Sequence, residues 1–433
     1  MIRILPSPFF SHIFILSILL VVIPDANAQI KPTDYSYPVV TQSEDYIYRV
    51  VTVVDGLEHP WSLAFLPDGN MLVTERPGRL RIVRNGVLDP EPISGIPPLW
   101  YLANGNSGLL DVALHPNFVS NRLVYFTYGK PSADGSQGTL AVARGRFDGR
   151  HLSDVEDIFV AKSWGEVPDH IGSRIAFDGK GHVFISHGDR LLWAPSREPR
   201  EKNPAQDLSN HAGTIVRLHD DGRVPTDNPF VNTPGALPEI WSYGHRNIQG
   251  MAIDHETGVL WASEHGPDSG DELNHIRPGR NYGWPVISYG RGPDYQTRAK
   301  EGMEQPVTFW SPSIAPSGLM IYHGDKFPKW RGDIFVGGLI GHVLHRLRPF
   351  IMGPDGSYTI VSAERPPLLQ GFGRIRDVRE GPDGYIYLSI DDHRNHERLS
   401  AVVRLEPVES IEFNPHYHPF IFGNEGAAAR GNR

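Results

Sequence analysis

Cysteine is absent from all 433 residues. Its absence excludes disulfides, thiol nucleophiles, thiolate metal sites and iron–sulfur ligation together. The fold must rest on core packing, which a chain of this length can supply. A large charge of one sign is also missing: 41 Lys and Arg stand against 50 Asp and Glu, a net charge of −9. There is no basic cluster of the kind that nucleic-acid phosphates require, so nucleic acid is not an expected partner. Helical periodicity is scarce beyond the first residues. No later segment approaches the run of about 20 apolar residues that crosses a bilayer, so no stable membrane insertion of the mature chain is expected.

What is present begins at the N-terminus. Arg3 precedes an apolar run from Phe9 to Ile23, and Ala26-Asn27-Ala28 follows with small residues at a cleavage spacing. This pattern predicts a signal peptide over residues 1–28, a mature chain starting at Gln29, and a periplasmic or secreted protein. Residues 29–49 read as an N-terminal extension, 50–410 as the folded domain and 411–433 as a tail, small and polar at its end.

The domain itself is rich in turn formers, with 45 Gly and 38 Pro. One unit recurs: a short apolar strand, an Asp/Gly turn, then a strand of β-branched or aromatic residues. It starts at Ser62, Leu110, Arg174, Gly250, Gly318 and Ile375. Third strands follow at Leu80–Val83, Gly213–Leu218, Val343–Leu347 and Ala401–Leu405. The copies lie roughly 50 to 75 residues apart, a spacing typical of repeat architectures. A small sheet cannot bury both faces alone, whereas sheets packed around an axis can. Six copies predict an all-β, six-bladed β-propeller. A β-sandwich or a pair of barrels is the alternative.

Four constellations carry candidate chemistry. In Asp169-His170-Ile-Gly-Ser-Arg174, a histidine at a loop-to-strand junction is suited to abstract a proton as a general base, with Asp169 to orient it. The alternative is a histidine satisfied within a turn. Arg246-Asn247 offers a planar cation and an amide to an oxygen-rich ligand, unless Arg246 only forms a surface ion pair. The stretch from Glu264 to Glu272, followed by Asn281-Tyr-Gly-Trp-Pro, supplies hard oxygen ligands suited to calcium, or else an acidic solvated loop. Arg374 and Arg376 alternate on one strand and point together, which calls for an anionic partner if that side is buried. Inner strands of a propeller would gather these groups in one central funnel.

In this order the motifs are specific: Gly108-Leu-Leu-Asp-Val-Ala-Leu-His-Pro, His170-Ile-Gly-Ser-Arg, Gly244-His-Arg-Asn, Glu264-His-Gly-Pro with Gly270-Asp-Glu-Leu-Asn, Asn281-Tyr-Gly-Trp-Pro, Ser313-Ile-Ala-Pro-Ser-Gly and Arg374-Ile-Arg-Asp-Val-Arg. From about Val50 to Pro407 the chain resembles the glucose/sorbosone dehydrogenase family, in particular its soluble aldose sugar dehydrogenases. The resemblance implies oxidation of aldose sugars at C1 to lactones, with pyrroloquinoline quinone (PQQ) and calcium as cofactors and a separate electron acceptor. It implies His170 as base, oriented by Asp169, and Arg246 as a charge at the quinone oxygen. Asn106, Arg246, Asn247, Tyr295, Ser313, Arg374 and Arg376 become cofactor contacts, and Gly266, Pro267, Glu272 and Tyr282 calcium ligands. Two positions depart from the family pattern. Asn106-Ser-Gly-Leu stands where Gln-Gly-Gly-Leu is common, and Gly338-Leu-Ile340 where Ser-Leu-Lys is common. Both bear on cofactor affinity rather than on fold. Rival readings are a calcium-dependent propeller lactonase, which has no need of the double arginine, and a propeller that binds without catalysis.

Overall fold

In a computed structural model the described residues are 39–103, 105–192, 199–292, 295–353, 355–391 and 400–408. The expected signal peptide and the tail from residue 411 lie outside them. Among the described residues no helix is long and apolar enough to cross a membrane.

Six antiparallel sheets are arranged as the blades of a six-bladed β-propeller. Their inner strands are Pro60–Phe65, Leu109–Leu114, Ile175–Phe177, Ile248–Ile253, Pro316–Ile321 and Arg374–Glu380. Each inner strand touches the next, and the last touches the first, so the ring is closed. Closure joins the two ends of the domain. In the sixth sheet Ile47–Leu57 pairs antiparallel with Ser400–Pro407, and Val39–Gln42 adds an outer strand. Residues 39–49, read from the sequence as an extension, therefore contribute strands to the last blade.

Burial of strands on both faces explains their short apolar runs. Leu109 and Val112 pack against the first blade, while Leu110 packs against the third. Leu72 and Val73 likewise face opposite neighbours. The core is thus a set of layers between blades, one example being Trp261, Leu319, Ile334 and Val336 between the fourth and fifth. Every blade hides two sheet faces, which is why no separate layer of helices is needed.

Near the axis the inner strands crowd one another. Five of them carry a register shift, as at Pro60/Ser62 and Ile375/Asp377. Such bulges re-aim side chains and bend the strand. Gly318 marks one such close approach: a Cβ there would sit 2.5 Å from the Val378 nitrogen. Ordinary side chains are excluded by that contact, whatever their polarity.

The axis holds charges instead. Arg174, which is 1% exposed, donates from Nη1 to Asp377 Oδ1 at 2.7 Å. Arg379 donates to Asp377 Oδ2 at 2.9 Å and to Asp111 Oδ1 at 2.8 Å. Ser62 Oγ adds a bond to Asp111 at 2.6 Å. Burial opposes ionisation of Asp377, but Arg174 and Arg379 outweigh it and hold the carboxyl below the usual range. The stabilisation is therefore present above the unfolded carboxylate pKa and is lost as pH falls through the depressed one. Asp377→Ala should cost about 3–5 kcal/mol, because it strands buried guanidiniums. Urea titration of the purified protein at neutral pH checks this, and an unchanged midpoint would mean the cluster carries no stability.

Candidate functional site

The loops that lead into the inner strands bring the sequence candidates together. His170 adopts φ +49 ahead of the third inner strand. Its Nδ1 lies 2.6 Å from Asp189 Oδ1. Asp189 follows the strand His182–His187, and Gly188 makes room for the loop: a Cβ at that position would sit 2.2 Å from the His170 carbonyl oxygen. The second Asp189 oxygen accepts from Trp284 Nε1 at 2.8 Å. Burial opposes ionisation of Asp189, but the His170 bond and the charges of His170 and Arg246 keep its carboxyl low.

Asp169 does not orient His170. Its carboxylate accepts instead from Asn106 Nδ2, and its carbonyl accepts from Arg190. The reason is geometric. His170 sits in a left-handed turn and its partner comes from the loop just past the neighbouring strand of the blade, while the Asp169 carboxylate is engaged by Asn106.

Arg246 lies with its guanidinium carbon 5.2 Å from the Trp284 ring centroid, and Tyr295 stacks on the same indole at 5.9 Å. Arg246 Nη1 donates to the His265 carbonyl at 3.2 Å, while its Nε is buried with no hydrogen-bond partner among the described residues. Asn247 accepts from Gln249 Nε2 at 3.2 Å through Oδ1. Burial, then the charges of Arg246 and His170 and further that of Arg376, push the His265 pKa down to about 3. The fields of three predicted site residues thus converge on one imidazole.

Arginines cluster around this imidazole. Arg376 is buried, and its pKa is lowered to about 9 by burial first, against the attraction of Asp391, and then by Arg374, Arg76 and Arg174. Its contact with Asp391 is a loose 3.9 Å. Arg374 donates to the Leu339 carbonyl at 3.2 Å, and the neighbouring Ile340 is 50% exposed. Ser313 differs from expectation in that its hydroxyl already serves Asp271 at 2.7 Å.

The expected metal residues divide between two places. Gly266 and Pro267 lie in the turn between strands Leu260–Glu264 and Asp271–Ile276. Glu272, expected in a loop, is on the second of these strands, directly opposite Glu264. Asn274 Nδ2 bridges the two carboxylates at 2.9 and 3.2 Å, and its Oδ1 is buried without a hydrogen-bond partner. Burial, and then the negative charge of Glu264, raise the Glu272 pKa well above the usual range. Tyr282 turns its ring onto His245 at 4.5 Å and its hydroxyl to the His275 carbonyl at 2.6 Å. Among the described residues no group of three or more His, Asp or Glu side chains forms a metal cage. A cation here would need amide and main-chain oxygens beside the two glutamates.

Asp189, Trp284, His265 and Arg76 were not singled out as site residues from the sequence. Asp189 sits in Gly188-Asp-Arg, just past a predicted strand, and that position was its one signal.

Residues 57–400 match the Glucose / Sorbosone dehydrogenase family. The chain belongs to that family. An aldose sugar dehydrogenase of Escherichia coli is 41% identical over 353 residues, 79% of this chain and 90% of the relative. The crystal structure of the soluble aldose sugar dehydrogenase from Escherichia coli in the apo-form superposes with a TM-score of 0.73 at 37% identity, covering 83% of this chain and all of that one. The PQQ-bound aldose sugar dehydrogenase of Streptomyces coelicolor gives a TM-score of 0.66 at 28% identity, covering 86% and 98%.

Among the histidines whose pKa is depressed, His187 is fully buried, while His265 and His345 are partly exposed. Burial depresses His187 to about 3, helped by the charge of Arg190, and His265 and His345 to about 3 and about 4. Their folded pKa values lie below the unfolded value near 6.5, so the unfolded chain binds more protons as the solution is acidified. Stability should be complete above about pH 6.5 and fall toward pH 4, by up to about 1.4 kcal/mol per pH unit for each such histidine. Denaturant midpoints measured from pH 7 to pH 4.5 check this. His187→Gln should flatten the slope, and an unaltered slope would contradict the assignment.

Proposed function

We propose that the protein is a PQQ-dependent aldose sugar dehydrogenase, oxidising the C1 hydroxyl of an aldose to the lactone. The observation that carries this reading is the His170–Asp189 pair beside a cluster of arginines. Family membership and the named relatives support sugar oxidation by a PQQ-type propeller.

The residues present fit an anionic quinone. Among the described residues Arg246 Nε has no hydrogen-bond partner, and Arg374 and Arg76 repel the buried Arg376 against the attraction of Asp391. When bound, PQQ supplies the hydride acceptor. Arg374 and Arg376 would pair with its carboxylates. Asn247, Asn106, Tyr295 and Ser313 are assigned the remaining contacts. Ser313 would have to share a hydroxyl that already donates to Asp271.

His170 takes the proton from the sugar hydroxyl on Nε2, since Nδ1 is engaged with Asp189. The Asp189 carboxylate fixes that tautomer and stabilises the imidazolium that forms. Arg246, held by Trp284 and the His265 carbonyl, supplies fixed positive charge where negative charge develops. The second cofactor is calcium, for which Gly266 and Pro267 offer carbonyls and Glu272 and Tyr282 a second location. The two opposed carboxylates and the unpartnered Asn274 oxygen suit a hard cation at that second location. The chain would be exported, with cleavage after Ala28.

His170→Gln should cut turnover at least about a hundredfold while PQQ still binds, as expected when a general base is removed. Asp189→Asn should also cost at least about tenfold in kcat, and Asp169→Asn much less. Dye-coupled sugar oxidation after PQQ loading, with PQQ titration alongside, separates binding from turnover. Near wild-type kcat in His170→Gln would put the base elsewhere.

Chelation of divalent ions should lower the melting temperature, and calcium should restore it better than magnesium. Glu272→Gln should abolish the restoration through that second location. Thermal melts of the apoprotein with and without each ion test this. A melt that no ion shifts would remove calcium from the proposal.

A further inference from the structure

The turn Gly188-Asp-Arg-Leu191 follows the strand His182–His187 and does more than deliver Asp189 to His170. Arg190, the next residue, is 1% exposed. Among the described residues its guanidinium forms no ion pair with a carboxylate. It donates to three main-chain carbonyls instead: Nη1 to that of Asp169, and Nη2 to those of Val167 at 2.9 Å and Gly138 at 3.2 Å. The Trp100 ring packs beside it, with the centroid 5.6 Å from the guanidinium carbon. Burial lowers the Arg190 pKa to about 10, against the attraction of Asp169 and Asp189, so the group stays charged at neutral pH.

The main chain of the same turn is tied to both sides of the site. Arg190 N donates to the His170 carbonyl at 3.3 Å, and Asp189 N donates to the Arg246 carbonyl at 2.7 Å. Arg190 and Leu191 take φ +60 and +51, a left-handed conformation that residues other than glycine rarely adopt. His170, across the contact, has φ +49.

Both features are costly. A buried charge needs compensation, and carbonyl dipoles supply less of it than a carboxylate does. Left-handed backbone at non-glycine residues persists only where the surroundings impose it, and it gathers at functional sites. What the arrangement provides is a fixed main chain. A guanidinium presents its donors in a rigid fork, so carbonyls from residue 138 and from residues 167 and 169 are held at set spacings.

We propose that Arg190 is a positioning residue for the base: its guanidinium and its amide clamp the main chain of residues 167–170, while the adjoining amide of the turn holds the Arg246 carbonyl, so that His170 is kept at one spacing from Arg246. The assignment of His170 as base rests on the function proposed above. Proton removal and stabilisation of the developing negative charge must act on one substrate together, and the turn is the piece of structure bonded to both groups.

The test uses Arg190→Lys, which keeps the charge and loses the fork, and Arg190→Ala with guanidinium ion added back. In Arg190→Lys kcat for glucose should fall about tenfold or more, since misplacing a reacting group by about 1 Å costs up to about a hundredfold. KM should stay within about twofold, as expected when only the chemical step is affected. Guanidinium should restore part of the kcat of Arg190→Ala. Proton NMR of the apoprotein gives a readout without turnover: the Nδ1–H resonance of His170, identified by its loss in His170→Gln, should move in Arg190→Lys. An unaltered kcat, an unmoved resonance, or a loss of activity that only follows the loss of folded protein in thermal melts overturns the positioning role. A resonance that responds to Arg190 in a protein that oxidises no aldose after PQQ loading would instead overturn the dehydrogenase reading and leave the positioning role standing.

Discussion

Two arginines and two carboxylates neutralise one another on the propeller axis, and the rest of the molecule is organised around that contact. Asp111, Arg174, Asp377 and Arg379 come from three different blades, and Ser62 from a fourth. Charges so deeply buried survive only when paired and hydrogen-bonded. The cluster therefore specifies how the blades meet, since sliding one inner strand by a residue would strand a charge in the core. The apolar layers between blades supply the bulk of the burial, but they tolerate such slippage more easily than the ions do.

The candidate site is carried on the same strands. Arg376 directly precedes Asp377, and His170 lies four residues before Arg174. Charge is balanced at the axis, and just beyond it Arg374, Arg76 and Arg174 each repel Arg376 while Asp391 attracts it, and Arg246 Nε has no hydrogen-bond partner among the described residues. A rigid, neutral floor under a cationic cup is a preorganised receptor for an anion, because little reorganisation remains when the ligand arrives. The opposed Glu264 and Glu272 make the complementary arrangement in the fourth blade, with negative charge in excess there.

Trp284 links these parts. It donates to Asp189, lies beside Arg246 and stacks with Tyr295. One indole thus fixes the carboxylate behind the proposed base, the cation opposite it and an aromatic neighbour. Packing of this kind holds functional groups in place more tightly than hydrogen bonds from mobile loops can.

The sequence by itself determined the repeating strand–turn–strand unit, because alternation and Asp/Gly turns are local properties. Strands such as Met71–Glu75, His182–His187 and Ile386–Asp391 fall where that unit places them, buried along nearly their whole length. It also marked His170, Arg246, Arg374 and Arg376, whose residue types are costly to bury without purpose. The tertiary structure alone decided partners. Asp189 rather than Asp169 meets His170, since the turn before the third inner strand lies against the loop that follows the next strand of the blade. Glu272 faces Glu264 because the acidic stretch crosses the blade as two strands and a turn, a pairing that its polarity concealed. The early segment Ile47–Leu57 joins the last blade through hydrogen bonds to Ser400–Pro407. Contacts across more than three hundred residues of chain leave no local periodicity, so only the closed ring of blades could reveal them.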